Sequence, residues 1–206
     1  PVTLDGGTLV LSGGQAVSGF GGNGAGWTFN GGATVAADVA TITTAGGSQA
    51  RSVFCNSVVP VNSFGMNFTY SASDKTTGDP ADGLVIVLQS DPRGPAALAA
   101  SGGARGYSGT GVITPSAGIG FNLYPPGTPG ISNNVYINGS TGGGNTSVSP
   151  VVIYGTPFDV QLTYDYGAKT LTALLTQGSN TFTRVYTGVD LPAVLGGAAY
   201  VGFTGG

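Results

Sequence analysis

The chain has no histidine, and its nine acidic residues are all aspartate. Ser-His-Asp and Cys-His catalysis need an imidazole base, and glycoside hydrolysis by a glutamate pair is excluded as well. The close aspartate pairs are Asp79 with Asp82 and Asp159 with Asp165. Nothing near Asp79 and Asp82 would tune one as an acid and the other as a base. We therefore expect no enzymatic activity.

Cysteine is equally scarce, since Cys55 is the only one. It lies in the alternating apolar run SVFCNSVV, which predicts a small buried hydrophobic residue. A single cysteine forms no internal disulfide, so it gives no information on the redox compartment. Zinc held by Cys or His is excluded, whereas calcium held by Asp, Asn and backbone oxygens is not.

Charge is low, at 7% of residues against about 25% in typical soluble domains. Six basic residues cannot form a basic face, so we expect no nucleic-acid binding. No apolar run approaches the roughly 18 residues of a membrane span, so we expect no membrane insertion. A surface with little charge is poorly protected against self-association, which suits an ordered assembly or a longer chain. Pro1 suggests a processed start, which leaves export open.

Glycine is abundant, with 39 residues, yet 40% of the chain is apolar and falls in short alternating runs. Such runs, bounded by Gly, Pro, Asn, Asp or Ser, predict strands. They cover residues 8–11, 26–35, 39–43, 51–58, 64–71, 83–89, 118–124, 134–138, 158–164, 169–176, 181–186 and 199–204. About a dozen strands without a long helix predict an all-β sandwich, with a barrel as the less favoured alternative. No boundary divides the chain, so we predict one domain over residues 1–206.

The stretch DPADGLVIVLQSDPRG, residues 79–94, places one aspartate at the start of the most hydrophobic strand. Its five consecutive apolar residues, 84–88, predict a strand that is covered on both faces. Irregular segments follow at residues 91–115, 125–133 and 139–150. Long connections of this kind are often functional.

Five pieces in order carry a family resemblance: GWTFNGGATV, DPADGLVIVLQSDPRG, GGARGYSG, SAGIGFNLY, and FDVQLTYDYGAKTLTALL with AAYVGFTGG. Together they resemble the L-type (legume) lectin domain in its bacterial extracellular form, from about Trp27 to the C-terminus. The resemblance implies a concanavalin A-like jelly-roll sandwich of two antiparallel sheets. It also implies a glycan site in loops on the concave side of the front sheet.

The same resemblance implies four carbohydrate-binding residues. The Ala81–Asp82 peptide would be cis, and the Asp82 carboxylate would accept hydrogen bonds from two sugar hydroxyls. A backbone N–H near Gly103 would donate to the sugar, Tyr124 would pack on its apolar face, and Asn122 would complete the site. The alternative for Asp82 is a turn-capping acid.

The metal-binding motif of the family is not kept. Its glutamate position is Gly120, its aspartate position is Asn122 and its asparagine position is Pro126. Two negative charges are therefore missing from a site meant for divalent cations. We expect no transition metal and at best weak calcium binding.

The family also has a last back-sheet strand for which this sequence shows no counterpart after Gly206. There are three explanations: the N-terminal run VTLDGGTLVL takes that place, the sequence stops short of that strand, or a neighbouring chain supplies a strand. We favour a non-catalytic carbohydrate-binding domain of a bacterial extracellular or cell-surface protein, with a glycan as its partner. The alternative is a structural subunit that polymerises with itself into a surface filament, sheath or matrix.

Overall fold

The computed structural model describes residues 1–11, 16–73, 81–124 and 129–206. Asp79 and Pro126, which the sequence singled out, lie outside these residues. The strands are β1 (Val2–Leu11), β2 (Ala16–Ser18), β3 (Trp27–Asn30), β4 (Thr34–Ala36), β5 (Val39–Thr43), β6 (Arg51–Cys55), β7 (Val59–Pro60), β8 (Phe64–Ala72), β9 (Gly83–Gln89), β10 (Ser116–Asn122), β11 (Gly130–Ser132), β12 (Tyr136–Ile137), β13 (Asn145–Thr146), β14 (Phe158–Asp165), β15 (Thr170–Gln177), β16 (Asn180–Thr187) and β17 (Ala198–Gly205). Two short α-helices, α1 (Gly21–Gly24) and α2 (Leu191–Leu195), and two 3₁₀ turns, Gly94–Ala96 and Gly102–Ala104, accompany them.

Two antiparallel sheets contain these strands. The back sheet has the order β16-β15-β14-β8-β1-β5-β4, with β2 alongside β1. The front sheet has the order β13-β11-β10-β9-β17-β6-β3, with β12 beside β10 and β7 beside β17. Their inner faces form one hydrophobic core, in which Phe68 of the back sheet meets Phe203 of the front sheet at 5.1 Å between ring centroids. The predicted all-β sandwich is confirmed, and the barrel alternative is wrong.

The back sheet alternates between core and solvent. In β14 every second side chain from Phe158 to Tyr164 is buried, and the residues between them are exposed. The partner strand β15 follows after a turn at Tyr166–Lys169. Such period-two burial is typical of an antiparallel sheet with one solvated face.

The front sheet is buried on both faces at its centre. All seven residues of β9 and all seven of β10 are buried. Leu84, Ile86 and Leu88 face the core between the sheets. Val85 and Val87 belong to a second cluster formed largely with the segment that follows β9. The predicted two-sided cover of residues 84–88 is confirmed.

The segment between β9 and β10 supplies that cover. Ala97, Ala99, Tyr107 and Ile113 pack onto the outer face of the front sheet. Asp91 holds the beginning of the segment: its carboxylate accepts hydrogen bonds from the Arg93 guanidinium at 2.7 Å and from the Thr114 N–H at 2.9 Å. The predicted irregular segment 91–115 is therefore an ordered layer over the sheet.

Most predicted strands appear within two or three residues of their expected bounds. The predicted strand 26–35 is wrong, because it divides into β3 of the front sheet and β4 of the back sheet. Gly31 and Gly32 lie between them with φ of 66° and 89°, a conformation that turns the chain from one sheet to the other. Strands β2, β7, β11 and β13 were not predicted, because two or three residues are too few to show a period.

The N-terminal strand has an internal position. Residues 2–5 of β1 pair with β5 on one side, and both ends of β1 pair with β8 on the other. The N-terminal run is therefore an internal strand of the back sheet, and its replacement of the family's last strand stays a prediction. Within the described residues, no helix is long and apolar enough to cross a membrane. A single domain over residues 1–206 stays a prediction.

Candidate functional site

Three neighbouring strands of the front sheet have one end in common: β9 begins there, while β10 and β17 end there. Gly83 is paired with Asn122, and Leu84 is paired with Gly205. Asp82, the residue before β9, therefore lies at these strand ends. We call the surface formed by Asp82, the turn 102–105, the end of β10 and Gly206 the front-sheet rim.

Backbone hydrogen bonds fix Asp82 in the rim. Its N–H donates to the Gly206 carbonyl at 2.7 Å, and its carbonyl accepts from the Leu123 N–H at 3.0 Å. The Ala81–Asp82 peptide bond is cis, as the resemblance implies. Asp82 is half-buried, so its carboxylate remains within reach of a ligand. Both neighbouring strand ends thus hold this residue in place.

The glycine turn faces the Asp82 carboxylate. A Cβ atom on Gly102 would lie 3.6 Å from one carboxylate oxygen, and one on Gly103 would lie 3.9 Å from the other. The Gly102 N–H donates to the Gln49 carbonyl at 3.1 Å, and the Gly102 carbonyl accepts from the Arg105 N–H at 2.7 Å. Gly103 itself is exposed. The structure therefore brings Asp82 and Gly103 together, with no side chain on the turn between them.

Asn122 lies under the rim and not on its surface. It is 3% exposed, and its side-chain amide is engaged on both atoms. The Asn122 oxygen accepts a hydrogen bond from the Arg105 guanidinium. The Asn122 nitrogen donates to the Tyr136 hydroxyl at 3.3 Å and to the Asn145 side-chain oxygen. The amide therefore supports the neighbouring side chains, and its predicted sugar contact stays a prediction.

Tyr124 ends the described part of the rim on one side. It follows Leu123, whose N–H is bound to the Asp82 carbonyl, and half of its surface is exposed. An exposed tyrosine ring can pack against the apolar face of a pyranose. Asp82, Gly103 and Tyr124 are therefore the predicted residues that reach the surface of the rim.

A buried polar network beneath the rim was not predicted. Arg105 is 8% exposed and Tyr136 is 2% exposed. The Arg105 guanidinium donates to Asn122 and to the Tyr136 hydroxyl at 3.5 Å, and its central carbon lies 5.7 Å from the Tyr136 ring centroid. Burial lowers the pKa of Arg105, while Tyr136 and Asp82 raise it. One sequence signal pointed here: Arg105 is among only six basic residues and interrupts a glycine-rich loop.

The residues present do not fit the divalent cation that the resemblance implies. A Cβ atom on Gly120 would lie only 2.7 Å from the Tyr136 hydroxyl, so tyrosine fills the space of a side chain there. Asn122 is neutral and bound to Arg105. Across the part of the chain that the structure describes, no three His, Cys, Asp or Glu residues cluster to hold a metal. Hard cations need several carboxylate or carbonyl oxygens.

The fold is the legume-lectin form of the concanavalin A-like sandwich. No family model matches the chain. A curated relative, the protein named bark agglutinin LECRPA3 of Robinia pseudoacacia, is 30% identical over 145 residues, which are 70% of this chain and 53% of that protein. The match thus spans about half the length of that relative.

Solved structures show the same fold. The Bauhinia forficata lectin in complex with GalNAc has a TM-score of 0.72 at 21% identity, over 87% of this chain and 85% of that one. Lectin I of Ulex europaeus, in complex with the methyl glycoside of α-L-fucose, has a TM-score of 0.70 at 22% identity, over 87% and 83%. Lectin UEA-II complexed with galactose has a TM-score of 0.67 at 22% identity, over 88% and 84%.

Proposed function

We propose that this protein is a non-catalytic carbohydrate-binding domain whose glycan site is the front-sheet rim. The Asp82 carboxylate accepts hydrogen bonds from two sugar hydroxyls, the backbone at Gly103 donates one, and Tyr124 packs on the sugar ring. Solved proteins of this fold are lectins in complex with GalNAc, galactose or an α-L-fucoside, which supports a glycan as the ligand.

The observation that carries the proposal is the pairing of Asp82 with the bare glycine turn. The backbone of Asp82 is fixed by two hydrogen bonds, from its N–H to the Gly206 carbonyl at 2.7 Å and from the Leu123 N–H to its carbonyl at 3.0 Å. The positions that face its carboxylate, 102 and 103, have no side chain. A fixed acceptor opposite an accessible backbone can bind two polar groups of one small ligand, because neither partner has to be ordered on binding. A turn-capping role alone does not require the facing turn to be free of side chains.

The test is glycan binding by Asp82→Asn, which keeps the size of the side chain and removes its charge. The wild-type protein is applied to an array that includes glycans ending in GalNAc, galactose and fucose, and hits are quantified by calorimetry. Hydrogen bonds to charged groups contribute about 1.5–3 kcal/mol, so we expect affinity to fall by roughly tenfold or more. Asp5→Asn is the matched control, because Asp5 is exposed on β1 of the back sheet.

Tyr124→Ala gives a second arm. Its ring is half exposed, so removal should leave the fold intact while it weakens binding about tenfold. A retained cooperative unfolding transition in both variants shows that the fold survives. Absence of binding across the whole array, or equal affinity for wild-type and Asp82→Asn protein, would overturn the proposal.

We also propose an extracellular or cell-surface location for this domain, and the bacterial source implied by the resemblance stays a prediction. Secretion assays on the protein in its native host test the location, and retention inside the cell would contradict it.

The filament alternative is not favoured, because β1 already fills an internal place in the back sheet between β5 and β8.

A further inference from the structure

The buried guanidinium under the rim has an unusual position for a cation. Arg105 ends the turn 102–105 with φ of 53°, and its side chain is directed beneath the rim, toward Asn122 and Tyr136. Burying a charge is costly unless partners compensate for it. An arginine that is 8% exposed therefore requires contacts that offset the loss of its hydration.

The partners of Arg105 supply part of this compensation, although its Nε is buried without a hydrogen-bond partner among the described residues. The Asn122 oxygen and the Tyr136 hydroxyl accept hydrogen bonds from the guanidinium, and the Tyr136 ring lies within cation–π range at 5.7 Å. The negative charge of Asp82 acts on Arg105 from the rim above. The cation is thus surrounded by oxygen atoms, an aromatic face and one carboxylate, which together form a site for a positive charge.

The resemblance implies ligands for a divalent cation in this place. One partner of Arg105 stands at a ligand position, and the other fills the space of a second ligand. Asn122 takes the aspartate position, and its oxygen binds the guanidinium. Gly120 takes the glutamate position, and the space of that side chain is filled by Tyr136. A second positive charge here would be repelled by Arg105 and would find one carboxylate, Asp82, among the described residues of the rim.

We propose that the Arg105 guanidinium takes the place of the divalent cation in this chain, so that the rim keeps its shape without metal. Arg105 is then a positioning residue: it orders Asn122 and Tyr136 beneath the rim and neutralises the charge of Asp82 from below. The part of this proposal that concerns glycan affinity rests on the proposed function, whereas the part that concerns metal does not.

The first measurement is the unfolding temperature of the wild-type protein in EDTA, in calcium and in manganese. A cation at roughly 1,000 times its Kd would stabilise a native site enough to raise the unfolding temperature by about 10 °C. We expect all three curves to agree within about 1 °C, and calorimetry with calcium alone to show no binding. Stoichiometric calcium binding, or a calcium-dependent rise of several degrees, would overturn the proposal.

The second measurement compares Arg105→Gln with Arg105→Lys. Glutamine removes the charge and leaves acceptors unpaired, so we expect the unfolding temperature to fall by about 5 °C. Lysine keeps the charge and should recover part of this loss. Arg184→Gln is the matched control, because Arg184 lies in β16 of the back sheet and donates to the Asn133 carbonyl instead of to Asn122 or Tyr136. An equal fall for Gln and Lys at position 105 would contradict the role of the charge.

Glycan affinity is measured last, in EDTA, for the wild type and the same variants. We expect wild-type affinity to be unchanged by EDTA, Arg105→Gln to lose about tenfold, and Arg105→Lys to regain part of it. Wild-type binding that EDTA abolishes would overturn the inference. If no glycan binds the wild-type protein, the proposed function fails, and the metal and stability measurements still decide the role of Arg105.

Discussion

Strands β9 and β14 lie in opposite sheets and differ in what covers their second face. Every residue of β9 is buried, whereas β14 alternates strictly between buried and exposed residues. The inner faces of both strands contribute to the shared core. The difference arises on the outer face, where the segment 91–115 covers β9 and water covers β14. A continuous apolar strand therefore indicated a second layer, and that layer carries the rim.

The two hydrophobic clusters that meet the front sheet differ in size and in what they join. The inner cluster spans both sheets and includes three tyrosines, Tyr70, Tyr164 and Tyr186, among many other apolar residues. In the described part of the chain, the outer cluster has eight buried residues and joins the front sheet to its covering segment; its tyrosines Tyr107 and Tyr136 have hydroxyls that contact neighbouring polar groups. The inner face therefore determines the stability of the sandwich, while the outer face determines how the covering segment and the rim are placed.

The largest expected effect concerns the inner face. Phe121 is fully buried and packs against Tyr70 and Phe158 of the back sheet, with ring centroids 5.2 and 5.8 Å away. Phe121→Ala removes contacts with the opposite sheet and leaves a cavity, so we expect a loss of about 3–5 kcal/mol in the free energy of unfolding. Urea unfolding measures it. Val185→Ala, at a half-exposed site of the back sheet, should change stability by less than about 0.5 kcal/mol. Similar losses in the two variants would contradict the comparison.

A smaller effect on stability is expected at Asp91, which attaches the covering segment 91–115 to the front sheet. Burial would raise the pKa of Asp91, but hydrogen bonds from Arg93 and Thr114 outweigh it and lower this pKa to about 2. Asp91→Asn removes the charge that binds Arg93, so we expect a loss of about 2 kcal/mol at pH 7. Urea unfolding at neutral pH measures this loss, and an unchanged free energy would show that the cover is held by other contacts.

The pH dependence of Asp91→Asn follows from the sign of that shift. A carboxyl group with a lowered pKa in the folded state stabilises the protein above its unfolded pKa of about 3.9, and the contribution is lost as pH falls toward 2. The difference in stability between wild type and variant should therefore shrink between about pH 4 and pH 2. A difference that stays constant over this window would contradict the assignment. Asp5→Asn, at an exposed position, is the control.

The smallest effect is expected for Tyr107→Phe on the outer face. The Tyr107 hydroxyl is paired with the Ser116 hydroxyl at 2.9 Å and accepts from the Gly139 N–H at 3.4 Å. Its removal should cost about 1 kcal/mol, together with faster hydrogen exchange at the Gly139 amide. Tyr166→Phe, at a half-exposed tyrosine, should change neither quantity. Unaltered exchange at Gly139 in the Tyr107 variant would show that the hydroxyl does not fasten the cover.

Local patterns in the sequence were enough for much of the fold, because strand periodicity is a local property. The alternation of β14 and the continuous apolar run of β9 both predicted the burial that the structure shows. Short strands such as β11 and β13 were missed because two or three residues carry no period. The split between β3 and β4 was missed because neighbouring apolar residues do not reveal which sheet each will join.

The candidate site was likewise predicted only in part. Asp82 and Gly103 lie in short recognisable motifs, and the structure brings them within a few ångströms of each other. The resemblance implied a sugar contact for Asn122, but β10 directs its amide beneath the rim, where Arg105 and Tyr136 bind it. No local pattern joins residues 105, 122 and 136, because they come from three separate segments of the chain.

The sequence by itself determined the class of fold, the absence of histidine and glutamate, and the absence of acidic side chains at positions 120 and 122. Only the tertiary structure decided what occupies the space beside those two positions. Packing placed the Tyr136 ring against Gly120 and the Arg105 guanidinium against Asn122. A missing side chain can be read from a sequence, but the group that fills its volume comes from distant segments that meet only when the chain is folded.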